Sequence, residues 1–157
     1  MRHNGTQRIF SLISGLWVGS FITIGFVVIP ILFSSLGDRQ VAGLVAANLF
    51  QATAYSGVLI CTILMVLSNY LVRHNLNQYR FTRWLLLGML ACTVGAAFIL
   101  IPWMNSLRDQ ALYLGLSVRE SSNAVLFNRL HGASSTLFLT QAILGVMLVW
   151  RATKNAD

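Results

Sequence analysis

The sequence predicts an all-α integral membrane protein, a single domain over residues 1–157 that forms a bundle of four transmembrane helices. Hydrophobic residues make up 56% of the chain, whereas Asp, Glu, Lys and Arg make up only 10%. In a soluble domain about a quarter of the residues are charged. The few charges separate four apolar runs, each at least as long as the ~20 residues that a bilayer-spanning helix needs. This composition excludes a soluble globule and a disordered chain.

The four apolar runs place the spans, and short polar signals place the segments between them. The first run follows Arg2 and Arg8, as in a signal peptide, but it is longer than the about 7–15 apolar residues of such a peptide, so we expect it to be retained. Asp38 predicts the start of the second helix, because its carboxylate can accept hydrogen bonds from free backbone N–H groups. Ser117 and Glu120 have the spacing of a capping box, which predicts a short interfacial helix. The expected spans are 9–36, 53–72, 84–104 and 130–150, and the expected interfacial segments are 38–51 and 117–128.

The Lys and Arg residues are distributed unequally between the two sides of these spans. Cytoplasmic loops carry the excess of Lys and Arg, so we expect both termini in the cytoplasm and the bacterial inner membrane as the location. The 73–83 loop serves primarily as a topology signal, and binding of anionic lipid headgroups is the alternative. The cytoplasmic set is Arg2, Arg8, Arg73, Arg80, Arg83, Arg151 and Lys154, and the outer set is Arg39, Arg108, Arg119 and Arg129.

Two pairs of similar strings indicate a parallel repeat of two helical hairpins. Such a repeat has a pseudo-two-fold axis along the membrane normal, and chance matching in apolar sequence is the alternative. Each of the two prolines also removes one helix hydrogen bond and frees a carbonyl one turn earlier, which predicts either a hydrated pocket or a simple kink. The strings are Phe26-Val-Val-Ile-Pro30 with Phe98-Ile-Leu-Ile-Pro102, and Leu49-Phe50-Gln51 with Leu126-Phe127-Asn128.

Small residues recur at helical spacing on two of the spans. The first span contains Gly15-x-x-x-Gly19, and Gly88 occupies a similar position on the third. Glycines four residues apart let another backbone approach closely, which drives helix association in lipid. We expect these glycines to pack helices within the bundle, and a dimer face is the alternative.

The candidate ligand site consists of four residues in the outer half of the bundle: His131, Arg129, Pro30 and Pro102. Ionisable residues at membrane depth are costly and are therefore candidates for function. Imidazole titrates near neutral pH and pairs readily, so a histidine that only forms a hydrogen bond with a loop or helix end is the alternative.

Sulfur-containing residues form a weaker candidate for a metal site. Cys61 with Met65, and Met89 with Cys92, place pairs of sulfur atoms on single helix faces, and His131 could join them. Soft sulfur ligands suit Cu(I), but Cys and Met are also ordinary apolar filler. The sequence contains no metalloprotease, hydrolase, phosphate-binding or dinucleotide-binding motif.

Six short strings carry a resemblance to a known family: Leu16-Trp-Val-Gly19, Phe26-Val-Val-Ile-Pro30, Leu32-Phe33, Val41-Ala-Gly43, Leu49-Phe50 and Leu130-His-Gly132. The chain resembles the transmembrane-protein-205-like family of small four-span membrane proteins, most strongly over 15–57 and 127–141. The resemblance implies a four-helix bundle and no particular reaction. The family's shape is also similar to the copper-resistance D and four-span protoporphyrinogen oxidase membrane domains, whose intramembrane histidines this chain lacks apart from His131. The family pattern directs attention to Trp17, Gly19, Pro30, Phe33, Ala42, Gly43, Phe127, Arg129 and His131.

The leading hypothesis for function is a non-enzymatic, small transport-associated or accessory membrane component without a cofactor. One alternative is a membrane oxidoreductase or metal handler that binds haem or copper. The other is a structural subunit of a larger membrane complex or homo-oligomer. The expected partner in every case is the lipid bilayer. Nucleic acid is not expected, because the net charge of +7 is not accompanied by a basic patch or recognition motif.

Overall fold

Every regular element is helical within residues 3–74 and 76–154, which the computed structural model describes. Four long helices fill this part of the chain, and each is long and apolar enough to cross a membrane, which confirms the predicted fold class. Helix α1 consists of His3–Thr23, the π-turn Ile24–Val28 and Ile29–Ser35, and α2 is Arg39–Arg73. Helix α3 consists of Tyr79–Gly95, the π-turn Ala96–Leu100 and Ile101–Tyr113, and α4 is Ala124–Lys154.

Helix α2 begins at the predicted cap. The Oδ1 atom of Asp38 accepts hydrogen bonds from the backbone N–H groups of Gln40 at 2.7 Å and Val41 at 3.4 Å. The helix then continues without a break to Arg73, so the residues after Asp38 in the stretch 38–51 form the first turns of α2. Its 35 residues extend over about 52 Å, which exceeds the about 30 Å hydrocarbon core of a bilayer.

The connection between α3 and α4 differs from the predicted interfacial helix. Glu120 Oε2 accepts hydrogen bonds from the hydroxyl of Ser117 at 2.8 Å and from its backbone N–H at 3.2 Å. The hydroxyl therefore serves the carboxylate and does not cap a backbone N–H of a following helix. Residues 117–123 form turns, and α4 begins only at Ala124.

Both prolines follow a π-helical turn in the same register. The N–H of Ile29 donates to the carbonyl of Ile24, and the N–H of Ile101 donates to that of Ala96, so each bond reaches back five residues instead of four. A π-turn adds one residue to the helix turn. The widened turn lies directly before each proline, which has no N–H to donate.

The helices form a closed ring in which α1 and α3 each contact α2 and α4. The 36–38 and 114–123 connections lie at one end, called here the loop end. The connection between α2 and α3 lies at the other end, called the terminal end, together with the N-terminal end of α1 and the C-terminal end of α4. The buried faces of α1 and α3 follow one pattern at an offset of 72 residues, the offset that also relates the two prolines. The corresponding buried residues are Gln7, Phe10, Ser14, Trp17 and Phe21 on α1, and Tyr79, Thr82, Leu86, Met89 and Thr93 on α3.

The second pair of similar strings does not occupy corresponding positions. Phe50 packs edge-on against Phe138 in the middle of α4, whereas Phe127 lies near the start of α4 beneath Arg108. A parallel repeat requires α1 and α3 to bury corresponding residues, and they do so. The pair Phe50 and Phe127 adds no support for the repeat, because the two rings have different surroundings.

Candidate functional site

The residues expected to form an outer ligand site have exposed side chains. Pro30, Pro102, Arg129 and His131 are all exposed. Arg129 and His131 are neighbours in sequence, but two residues along a helix turn the side chain by about 200°. The two side chains therefore leave α4 on opposite sides.

A different cluster forms at the loop end. The ring of His131 lies parallel to that of Phe127, with centroids 6.4 Å apart and planes at 9°. The guanidinium carbon of Arg108 lies 5.7 Å from the centroid of the same phenyl ring, and Arg108 Nη1 donates to Asn105 Oδ1 at 2.8 Å. The Phe127 ring on α4 therefore contacts both the imidazole of His131 and the guanidinium of Arg108, and its contact with Arg108 joins α4 to α3. The four-residue spacing of Phe127 and His131 could have revealed half of this cluster from sequence.

The middle of the bundle contains a junction to which each helix contributes one residue. A Cβ at Gly57 on α2 would stand 3.1 Å from Thr93 Cγ2 on α3 and 3.4 Å from Trp17 Cζ2 on α1. Gln141 Nε2 on α4 donates to Thr93 Oγ1 at 3.0 Å, and this hydroxyl donates to the carbonyl of Met89 at 2.7 Å. We call these residues, Trp17, Gly57, Thr93 and Gln141, the central junction. The sequence does not predict this junction, because Gly57 and Thr93 are isolated residues within apolar runs and belong to no recognisable motif.

Several buried polar groups of the described residues, on α1 and α3, have no hydrogen-bond partner. The indole N–H of Trp17, which is only 5% exposed, is one of them. The hydroxyls of Ser14, Tyr79 and Thr82 are the others, and the Tyr79 ring packs edge-on against Phe10 at 5.4 Å. These positions carry no charged side chain that could act as an acid or base.

The sulfur residues occupy the apolar core. Cys61 and Met89 are fully buried in the main hydrophobic cluster, and Met65 packs against it. Cys92 is partly buried. The described residues contain no group of three or more His, Cys, Asp or Glu side chains placed to hold a metal ion. His131 lies at the loop end beside Phe127.

The glycines divide into two groups. A Cβ at Gly88 would stand 3.3 Å from Leu144 Cδ1, and one at Gly145 would stand 3.0 Å from Val18 Cγ1, so these glycines allow close contacts between helices. A Cβ at Gly15 or Gly19 would meet nothing within 4 Å. Gly15 and Gly19 therefore lie on an open face of α1, which we call the glycine face.

Two open grooves lie on the described surface. One, of about 380 Å³, lies between α1 and α2 and is lined by Trp17, Ser20 and Thr53 among others. The second, of about 300 Å³, lies on α4 along Val146, Met147, Trp150 and Arg151. Both are mainly apolar and open to the outside of the bundle.

Comparison with protein families gives one match. The model described as a domain of unknown function (DUF4149) matches residues 12–112, which takes in most of α1, all of α2 and nearly all of α3. It does not confirm the resemblance to the transmembrane-protein-205-like family. No curated protein and no solved structure matches the chain.

Proposed function

The chain belongs to the DUF4149 family, whose description gives no activity, and we propose a function from the chain's own surface. The protein is a non-enzymatic accessory component of the membrane, which associates with a transmembrane helix of another subunit through the glycine face of α1. The observation that carries this proposal is the open environment of Gly15 and Gly19.

The glycine face has the properties of a helix-packing surface without a partner in its own chain. Helices associate in lipid through close van der Waals packing, because lipid tails are as apolar as the side chains and supply no hydrophobic driving force. Leu12 and Leu16 each precede one of the two glycines by three residues and are 65% and 72% exposed. A row of two glycines beside a ridge of two protruding leucines can receive the ridge of another helix.

An accessory role agrees better with the interior than a solute pathway does. The central junction is closely packed, because a Cβ at Gly57 would stand 3.1 Å from Thr93 and 3.4 Å from Trp17, and both grooves open outward. The four expected spans contain no Asp, Glu, Lys or Arg, the residues that usually mark ion and substrate pathways. In a transport-associated role, this protein would therefore assist another protein that forms the solute pathway.

The proposed location is the bacterial inner membrane, with both termini in the cytoplasm. The support is the excess of Lys and Arg at the terminal end, seven against four at the loop end, because such residues are retained on the cytoplasmic side.

The test is association in the native membrane with substitutions on the glycine face. Gly15→Ile and Gly19→Ile fill the notch but meet no atom of their own chain within 4 Å of the new Cβ, so the bundle should fold. Gly43→Ile and Gly132→Ile are matched controls, since these glycines are equally open and lie on α2 and α4. The protein is cross-linked in membranes, extracted in mild detergent and sized on native gels.

The expected result is a complex that the controls retain and that the variants at Gly15 and Gly19 lose by about tenfold, which corresponds to about 1.4 kcal/mol of association free energy. Two differently tagged copies in one cell distinguish a second copy of this chain from another subunit. A wild-type protein that is monomeric in membranes would refute the proposal. Complexes of equal yield from all four variants would do so as well.

A further inference from the structure

The α4 groove at the terminal end combines an apolar surface with a fixed cation. Trp150 is 73% exposed, and Val146 and Met147 lie one turn before Trp150 and Arg151. The guanidinium of Arg151 reaches across to α3 and lies over the ring of Phe81, 4.6 Å from its centroid. This stacking uses the flat face of the guanidinium and leaves the N–H groups at its edge available.

The surroundings of Arg151 are strongly basic. Arg73, Arg80, Arg83 and Lys154 are also exposed at this end, and Lys154 follows Arg151 by three residues on the same face of α4. No carboxylate of the described residues forms an ion pair with any of these five, and Asp109, Glu120 and Asp38 lie at the loop end. Among the described residues, these basic side chains therefore have no carboxylate to neutralise them.

We propose that this groove binds one anionic phospholipid, with the phosphate at Arg151 and the start of an acyl chain along Trp150, Met147 and Val146. Arginine recognises phosphate oxygens by paired hydrogen bonds, and basic pockets between transmembrane helices bind anionic lipid headgroups. Trp150 lies one residue before the cation, at the depth where tryptophan rings meet the headgroup region. A zwitterionic lipid brings an ammonium group into the same basic cluster and binds less well.

The position of the guanidinium gives the site its specificity. Phe81 holds Arg151 at the seam between α3 and α4, whereas the other basic side chains of the cluster have no such support among the described contacts. Arg151→Lys keeps the charge but loses the planar pair of donors. Phe81→Leu keeps the apolar volume but loses the aromatic face that holds the guanidinium.

The experiment measures lipid retention by native mass spectrometry. The delipidated protein in mild detergent is mixed with equal amounts of phosphatidylglycerol and phosphatidylcholine of identical chains. The expected result is one retained phosphatidylglycerol, with retention about fivefold lower in Arg151→Ala, the factor that one basic residue contributes at an anionic surface. Arg151→Lys and Phe81→Leu should give intermediate losses. The matched control Arg119→Ala removes an exposed arginine at the loop end and should leave retention unchanged.

A second measurement locates the chain of the lipid. In phosphatidylcholine vesicles doped with phosphatidylglycerol brominated on its chains, Trp150 fluorescence, obtained as the difference between wild type and Trp150→Phe, should be quenched more than by brominated phosphatidylcholine. Equal retention of the two lipids, or equal losses in Arg151→Ala and Arg119→Ala, would overturn the proposal. Displacement of the lipid by inorganic phosphate alone would also overturn it, because the site would then recognise a free anion.

Discussion

Replacement of Gly25 with Ala should destabilise the bundle, although this exchange normally favours a helix. Gly25 lies in the π-turn of α1, and a Cβ there would overlap Cζ of Phe138 and stand 2.7 Å from its Cε1. The phenyl ring has little room to retreat. Its centroid lies 5.8 Å from that of Phe21, 5.7 Å from that of Phe26 and 5.8 Å from that of Phe50.

The magnitude follows from comparison with an open glycine. Overpacking of a well-filled core costs about 1–3 kcal/mol. Gly19→Ala makes the same chemical change on the same helix, but its Cβ meets nothing within 4 Å. That variant should be neutral or stabilised by up to about 1 kcal/mol. The free energy of unfolding of Gly25→Ala should therefore lie about 2 kcal/mol below that of Gly19→Ala.

The assay is reversible unfolding in mixed micelles, with a double-mutant cycle that includes Phe138→Leu. Loss of the phenyl ring removes the atoms that the new methyl group overlaps. The two substitutions should therefore be non-additive, with a coupling of about 1–2 kcal/mol. Equal stabilities of Gly25→Ala and Gly19→Ala, or strict additivity in the cycle, would refute the close approach of α1 and α4 at this point.

Three further outcomes test other local features. Gln141→Leu and Thr93→Val should each lower the free energy of unfolding by about 0.6 kcal/mol, the average for a hydrogen bond between membrane helices, and the double variant should cost no more than the larger single loss. The hydrogen bonds from Ser117, chiefly that from its hydroxyl, lower the pKa of Glu120. The ionised carboxylate therefore stabilises the turn at pH values above the ordinary carboxyl pKa, and this stabilisation is lost as the pH falls through the lowered pKa. In an NMR titration Ser117→Ala should raise the midpoint of Glu120, and an unchanged midpoint would exclude the contact. Asp38→Ala should lower stability by about 1 kcal/mol while Asp38→Asn stays near wild type, and equal losses would show that the charge rather than the cap matters.

The fold class was predictable because its determinants are local and strong. The hydrocarbon core of a bilayer offers no hydrogen-bond partners to the backbone, so long apolar runs must form helices. The number of runs that are long enough to span then gives the number of helices. The cap at Asp38 was predictable for a similar reason, since its carboxylate accepts from N–H groups two and three residues away. Ser117 and Glu120 show the limit of such signals, because their bond forms a turn as readily as a helix start.

The contacts at the loop end were only partly predictable, because they join residues that are distant in sequence. Arg108 appeared in the sequence only as one charge in a topology count, yet it lies over Phe127. Sequence adjacency drew attention to Arg129 beside His131, but helix geometry pairs His131 with Phe127 instead. The central junction joins four helices through Gly57 and Thr93, and no spacing rule relates residues on different helices.

The glycines show most directly what periodicity can and cannot establish. Gly15 and Gly19 have the spacing of a packing motif, whereas Gly25, Gly57 and Gly145 stand without such a partner, yet it is the second group that meets neighbouring helices. Small residues four positions apart form a row on one side of a helix, but whether that side faces the bundle or the outside depends on how the helix is rotated about its axis. The large side chains Phe10, Trp17 and Phe21 determine this rotation for α1, because they bury the opposite side. The glycine face is left outward for that reason, so the partner helix proposed for it must come from outside the chain's own four helices.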